Sequence, residues 1–153
     1  MKCRVIWLGK TRESWIKAGI DEYAGRIKRY LPLAVDELKD EKDAEALGGR
    51  RRDGERVLKQ LTPQTVLVEM DERGQAMDSV KFAEFIGRHR DSGTAELAFA
   101  IGGAYGFSDE VRKRAGLTLS LSAMTFTHQM VRPFLLEQIY RAFTILNNEP
   151  YHH

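Results

Sequence analysis

The feature that most limits what this chain can become is an alternation. Short runs of branched and aromatic residues are followed by segments whose apolar residues recur every three or four positions. The first kind of run fits a strand, the second one side of a helix. Residues 5–8 are such a run, closed by Gly9, and Trp15, Ile16, Ile20, Tyr23, Ile27 and Tyr30 then mark a helical face over 13–30. Thr11 or Ser14 is placed to cap that helix, and Pro32 lies beyond its end. Further strands are expected at 33–38, 65–70, 97–101 and 117–121, with helices at 80–89, 109–114 (capped by Ser108) and 130–146. Asp71-Glu72-Arg73-Gly74 reads as a turn closing the third strand. The charged stretch 36–59 reads as two helical pieces, 43–47 and 55–61, around a Gly48-Gly49 break and a flexible hinge carrying Arg50, Arg51 and Arg52. Strands alternating with helices predict an α/β fold, a mostly parallel sheet flanked by helices on both faces. No repeat, linker or low-complexity tract interrupts it, so a single domain over 1–153 is expected.

Composition narrows the classes. A chain of 153 residues buries roughly 68–70% of its unfolded surface, enough for a core without staples. Its single cysteine, Cys3, cannot form an internal disulfide and reads as a buried small hydrophobe, in keeping with a reducing cytoplasm. No apolar run approaches the roughly 18 residues of a membrane span, and the opening segment is too short for a signal peptide. No membrane is therefore expected. A net charge of +2 permits a nucleic-acid partner without indicating one. His128, His152 and His153 lack zinc-ligand spacing, so no metal is expected; P-loop and nucleophile-elbow motifs are also missing.

Ligands of open α/β sheets bind beyond the carboxyl ends of strands, and three loops leave strands there with suitable chemistry. One follows Met70. The second is Gly102-Gly103-Ala104-Tyr105-Gly106, where glycines admit close backbone approach to a ligand, although a tight turn accounts for them equally. The third runs from Leu121 through Ser122, Ala123, Met124, Thr125, Phe126 and Thr127 to His128, with no charge before the histidine. That lining suits a neutral adenine and ribose better than a triphosphate; packing at a strand end explains Leu121, Met124 and Phe126 as well. His128 and Arg132 share a helix face if the last helix has begun by His128, where the positive end of the helix dipole disfavours protonation. Capping or packing is the plain alternative for His128. The Arg50–Arg52 triplet is either a solvated face or a set of RNA-phosphate contacts.

Five segments carry a more specific likeness: Gly102-Gly103-Ala104-Tyr105-Gly106; Leu119-Ser120-Leu121-Ser122-Ala123-Met124-Thr125-Phe126; His128-Gln129-Met130-Val131-Arg132; Glu137-Gln138-Ile139-Tyr140-Arg141-Ala142; and Tyr151-His152. In this order and spacing the chain resembles the ribosomal RNA large subunit methyltransferase H family of the SPOUT superfamily, from Lys2 to the C-terminus. The resemblance implies a SPOUT-type sheet with a C-terminal deep trefoil knot, an exception to the rule that chains are unknotted. It implies S-adenosylmethionine as cofactor and methylation of N3 of a pseudouridine in 23S rRNA of the assembled ribosome. By position it places Met70, Gly102, Leu121, Ser122, Ala123, Met124, Thr125 and Phe126 at the cofactor, and His128, Arg132, Tyr151 and His152 near the substrate base. Thr127 stands where the family often has proline, which implies a less rigid loop, and Met70 replaces the usual leucine, a mild change.

On that reading His128 or His152 removes the N3 proton, Arg132 stabilises charge developing on the adjacent carbonyl oxygens, and Tyr151 stacks on or orients the base. So small an enzyme is expected to work as a homodimer. Apolar residues on several faces of the last helix (Phe134, Leu136, Tyr140, Phe143) predict a twofold interface, in which the tail of one chain meets the cofactor pocket of the other. Two rival readings stay open: another SPOUT RNA methyltransferase, acting on a ribose 2′-hydroxyl or a tRNA base, and a non-catalytic ribosome-binding module.

Overall fold

The structure, a computed structural model, describes every residue except the one at position 44. Its elements run β1 (Lys2–Leu8), α1 (Ser14–Ile27), β2 (Leu33–Leu38), α2 (Leu47–Leu58), β3 (Thr65–Ala76), α3 (Ser79–Asp91), β4 (Glu96–Ile101), α4 (Asp109–Arg114), β5 (Leu117–Ser120) and α5 (His128–Leu146). The five strands pair in parallel in the order β2-β1-β4-β3-β5. From β1 the chain steps outward to β2, then crosses to the other side for β3, β4 and β5. The knot that the resemblance implies is consistent with this arrangement. Because every strand points the same way, all five carboxyl ends open on one edge.

Period-two alternation decides what covers each face. Cys3, Val5, Trp7, Val68, Leu97, Phe99 and Ile101 point into a core shared with Ile16, Ile20 and Ile27 of α1, Phe82 and Ile86 of α3, and Leu135, Ile139 and Phe143 of α5. The opposite face presents Ile6, Leu8, Leu67, Ala98 and Ala100 to Val57 of α2 and Val111 of α4. That second layer is thin, and its small residues let the helices sit close.

The structure departs from expectation in ways that have physical causes. Residues 50–52 are no hinge: α2 runs unbroken through Gly48, Gly49 and the three arginines. Its glycines serve close packing. A Cβ on Gly49 would stand 2.3 Å from the Asp43 carbonyl oxygen, and one on Gly54 3.0 Å from Val111 Cγ2. The helical piece expected at 43–47 includes position 44, outside the described residues; α2 itself starts at Leu47. The turn expected after Met70 is a bulge within a longer strand: Met70 and Gln75 both register with Leu119, so residues 71–74 are looped out between two pairings. The Asp71 carboxylate accepts from the Arg73 backbone N–H at 2.8 Å, the local turn chemistry the sequence promised.

Caps and burial differ too. Glu13 holds the N-cap position of α1 without a side-chain bond, while the Thr11 hydroxyl is taken by the sheet edge. Ser108 precedes α4 but makes no capping bond, and its buried hydroxyl has no partner among the described residues. Trp15, expected on the apolar face, is 59% exposed. Leu136 and Phe143 are core residues, so they offer nothing to a partner; of the four apolar side chains assigned to an interface, Phe134 and Tyr140 keep open surface.

Among the described residues no helix is long and apolar enough to cross a membrane. Nor is any group of three or more His, Cys, Asp or Glu side chains placed to hold a metal ion.

Candidate active site

A cavity of about 1010 Å³ opens on the carboxyl edge of the sheet. Met70 from β3, Gly102 after β4, and Leu121, Ser122, Met124, Thr125 and Phe126 after β5 all line it, with His128 at the start of α5. Ala123 belongs to the same loop but not to the wall. The three segments that the sequence singled out separately thus converge. The cavity lies at the top of the 300–1,000 Å³ range of small-ligand sites, with room for a cofactor and a base together.

The glycine segment is a turn and a wall at once. The Gly106 N–H donates to the Gly103 carbonyl at 3.0 Å, and Gly106 has φ +75°, which side chains disfavour. A Cβ on Gly102 would meet Gly106 backbone atoms at 3.0–3.1 Å, while one on Gly103 would meet nothing. Backbone therefore forms the surface here, and a flat ligand can lie against it.

The loop after β5 is braced by its own hydroxyls. Ser120 Oγ donates to the Ser122 carbonyl at 2.8 Å, Met124 N–H donates to Ser122 Oγ at 2.9 Å, and Thr125 donates to the Glu72 carboxylate. Thr127 caps α5, its hydroxyl accepting from Met130 N–H at 3.2 Å. Thr127 thus orders the junction of the loop and α5. Thr127→Ala should cost about 1 kcal/mol and lower the thermal midpoint by about 3 °C; calorimetry of the variant measures it.

Four of the exposed large hydrophobic side chains line this cavity: Trp15, Tyr105, Met124 (75% exposed) and Phe126. Phe134 packs edge-on against Phe126 at 5.3 Å, beside a smaller groove of about 440 Å³ that also takes in Met77, Phe82 and Leu121. Such a patch is typical of a site that takes a ligand or a partner. The cavity is not uncharged throughout. Arg12, Glu13, Arg50, Asp71, Glu72 and Arg73 ring its mouth, so the neutral lining is confined to the inner loops.

His128 opens α5 and is half-buried in the cavity wall. Burial first, then the nearby Arg132 and Arg12 guanidiniums, hold its imidazole below its ordinary 6.5. The helix dipole was the cause read from the sequence; burial and the two guanidiniums act in the same direction.

Arg132 is placed elsewhere. It is 0% exposed and absent from the cavity wall. Its guanidinium donates to the Leu8 carbonyl at 2.8 Å and to Thr11 Oγ1 at 2.9 Å, stands 3.8 Å from the Glu37 carboxylate, and lies over the Trp7 ring at 5.0 Å. Burial lowers its pKa to about 10, so it stays charged at neutral pH. Within this subunit Arg132 therefore does not reach the cavity: one helical turn from His128, it ties the start of α5 to the end of β1.

Tyr151 and His152 gather at the other end of α5, with two residues the motif reading did not assign. The Arg141 guanidinium donates to Glu137 Oε1 at 2.6 Å and to His152 Nδ1 at 3.1 Å, and sits 4.7 Å over the Tyr151 ring. The Tyr151 hydroxyl donates to the same Glu137 oxygen at 3.0 Å, and burial raises its pKa. The Glu137 and Arg141 spacing of four was the sequence signal for this pair. Thirteen helical steps lead from His128 to Arg141, roughly 20 Å at 1.5 Å per residue. One chain does not bring the tail to its own cavity.

Known proteins supply an independent comparison. The family described as predicted SPOUT methyltransferase matches residues 1–152. The chain is 79% identical over 153 residues to the ribosomal RNA large subunit methyltransferase H of Trichlorobacter lovleyi, covering all of both chains. Its counterparts bearing that name in Geotalea uraniireducens (61% over 153 residues) and Geobacter sulfurreducens (60% over 154 residues) are also covered end to end. Among solved structures, a probable methylase family protein from Haemophilus influenzae superposes with a TM-score of 0.55 at 11% identity, over 99% of this chain and 70% of its own. A probable methyltransferase from Bordetella pertussis gives 0.55 at 12% identity, over 92% and 95%. At these identities the two structures share the fold with the chain.

Proposed function

Because the chain belongs to the ribosomal RNA large subunit methyltransferase H family of SPOUT methyltransferases, we propose that it methylates N3 of a pseudouridine in 23S rRNA of the assembled ribosome, with S-adenosylmethionine as methyl donor. It does so as one domain, in the cytoplasm, as a homodimer. The observation that carries this reading is the convergence of Met70, Gly102 and the loop from Leu121 to Phe126 on one cavity at the strand ends.

The donor set fits the cofactor. Backbone exposed at Gly102, apolar walls from Met70, Leu121 and Met124, and hydroxyls at Ser122 and Thr125 suit an adenosyl group, whose recognition is mostly neutral. When bound, S-adenosylmethionine supplies an electrophilic methyl on a sulfonium, and the protein's part is alignment and proton removal. His128, in the cavity wall and held neutral, accepts the N3 proton of the base. Arg132 keeps the first turn of α5, and with it His128, at a fixed height above the sheet. Tyr151, His152 and Arg141 come from the partner subunit: Tyr151 lies against the base, and Arg141 and His152 face the negative charge developing on its carbonyl oxygens. The exposed Phe126–Phe134 pair and its adjoining groove support an isologous contact that brings the two ends of α5 together.

Incubation with labelled cofactor and either ribosomes or bare rRNA, followed by mapping of the methylated nucleotide, tests the reading. Label on pseudouridine N3 in ribosomes is expected. Label on a ribose or a tRNA would move the chain to another SPOUT activity, and binding to ribosomes without transfer would make it a binding module. Light scattering at micromolar concentration should give a dimer, and a monomer there would defeat the shared-site arrangement.

The lowered His128 pKa adds a pH signature. Turnover should hold its plateau down to below pH 6.5, the ordinary value from which the group is displaced, and the residual rate of His128→Gln should lack that acid limb. Folding should weaken over the same range as pH falls, since the unfolded chain takes the proton at 6.5 and the folded chain resists it. An acid limb centred above 6.5 would assign the proton to another group.

A further inference from the structure

We propose that Arg50 and Arg12 clamp the phosphate of an RNA nucleotide flanking the target base, with Trp15 and Tyr105 as faces on which neighbouring bases stack. The proposal rests on RNA being the substrate, as above, and names the part of the cavity mouth that grips it.

The three consecutive arginines of α2 are not equivalent. Arg51 is drawn to Glu110 at 3.6 Å, and Arg52 to Asp43 at 2.8 Å and Glu41 at 3.4 Å. Arg50 has no carboxylate within ion-pair distance among the described residues, and its Nε is buried without an acceptor. A buried donor without a partner is a standing cost, and a turn of the side chain that brought the Nε to a phosphate oxygen would remove it. Although α2 covers the opposite face of the sheet, its start reaches the carboxyl edge, and Arg50 lines the cavity there.

Arg12 approaches the same wall from the loop before α1. It too lacks a carboxylate partner among the described residues, and it is exposed. Its backbone is fixed: the Gln129 side chain accepts from Arg12 N–H at 3.1 Å and donates to the Lys10 carbonyl at 3.0 Å. The loop is thereby pinned to the first turn of α5, next to His128. Of the carboxylates at this mouth, Asp71 is engaged by Arg73 and Arg112, and Glu72 by Thr125. Glu13 is the exception, exposed at the start of α1.

Trp15 and Tyr105 line the same cavity, 59% and 54% exposed. Large aromatics held open to water beside unpaired arginines are the combination by which proteins hold unstacked RNA: bases on the rings, phosphates on the cations. A purely protein partner would be expected to find an apolar surface without uncompensated charge at its centre.

The test uses the full chain and assembled ribosomes, with binding followed by co-sedimentation at several salt concentrations without cofactor. Calorimetry with S-adenosylmethionine alone runs beside it. Arg50→Ala and Arg12→Ala should each weaken ribosome binding about tenfold and flatten the logarithmic salt dependence by about one unit, with cofactor affinity unchanged. Arg50→Lys keeps the charge but not the fork and should fall between. Arg88→Ala removes an equal charge from an exposed position on α3 and should bind as the parent does. Unchanged ribosome binding in Arg50→Ala, an equal loss in Arg88→Ala, or a parent chain that does not sediment with ribosomes would overturn the proposal. So would weakened cofactor binding in place of weakened ribosome binding. Sedimentation needs no turnover. A parent that binds ribosomes through Arg50 yet transfers no methyl would overturn the methyltransferase reading and leave this one standing.

Discussion

His128→Gln is expected to slow methyl transfer at least about 100-fold, the usual worth of a positioned proton acceptor, while S-adenosylmethionine still binds. Replacing Tyr151 and Arg141 together by alanine should do comparable damage from the other end of α5. The decisive measurement mixes the two inactive proteins. Within one chain these groups lie roughly 20 Å apart, so in the proposed homodimer each active site draws His128 from one subunit and the tail from the other. Random reassortment puts half of the dimers in mixed form, and each mixed dimer holds one intact site of two. Activity should therefore return to about a quarter of the parent level. A mixture as inactive as its components would place both groups in the same subunit and require a different path for the tail.

Arg132→Ala should lower the thermal midpoint by about 10 °C, from a loss of about 3 kcal/mol. Three causes act together. Truncation empties a space at the junction of α5, β1 and Trp7 that no neighbour fills. It leaves the Leu8 carbonyl, buried at the end of β1, without its donor. It also loosens the start of α5, which the Gln129 bonds to Arg12 N–H and the Lys10 carbonyl would then hold. Arg132→Met restores volume but not the donor and should recover part of the loss. Arg132→Lys offers one cation where two separate bonds are made and should also fall short. Differential scanning calorimetry decides the matter. A midpoint within about 2 °C of the parent, combined with collapsed turnover, would return Arg132 to direct contact with substrate.

The strands were legible from their branched and aromatic runs: 33–38 matches β2, a partly buried edge strand, and 97–101 matches the fully buried β4 to within a residue. α2 was misread for a reason of scale. Glycine next to glycine breaks an isolated helix, but Gly49 stands where backbone leaves no room for a Cβ, and at Gly54 a Cβ would crowd Val111 and Ser108. That pressure comes from the tertiary fold and leaves no local trace. β3 was cut short because Asp71-Glu72-Arg73-Gly74 is sound turn chemistry, and only pairing with β5 shows the strand resuming at Gln75. At the site, the loop residues followed from spacing and resemblance. Arg132 did not, because a guanidinium in a sequence reads as surface; its enclosure depends on a carbonyl 124 positions away. The cluster around Glu137 and Arg141 was present as a spacing of four, yet its meaning came from the tail folding back to meet it.

The chain has two tryptophans, and the fold has put them in opposite circumstances. Trp7 is sealed beneath the Arg132 guanidinium, whereas Trp15 stands at the cavity mouth. Intrinsic emission therefore carries two separable signals without any label. A water-borne quencher should dim the outer indole and spare the inner one. Arrival of an RNA strand would be read from the first, and loss of the native state from the second, in the same cuvette.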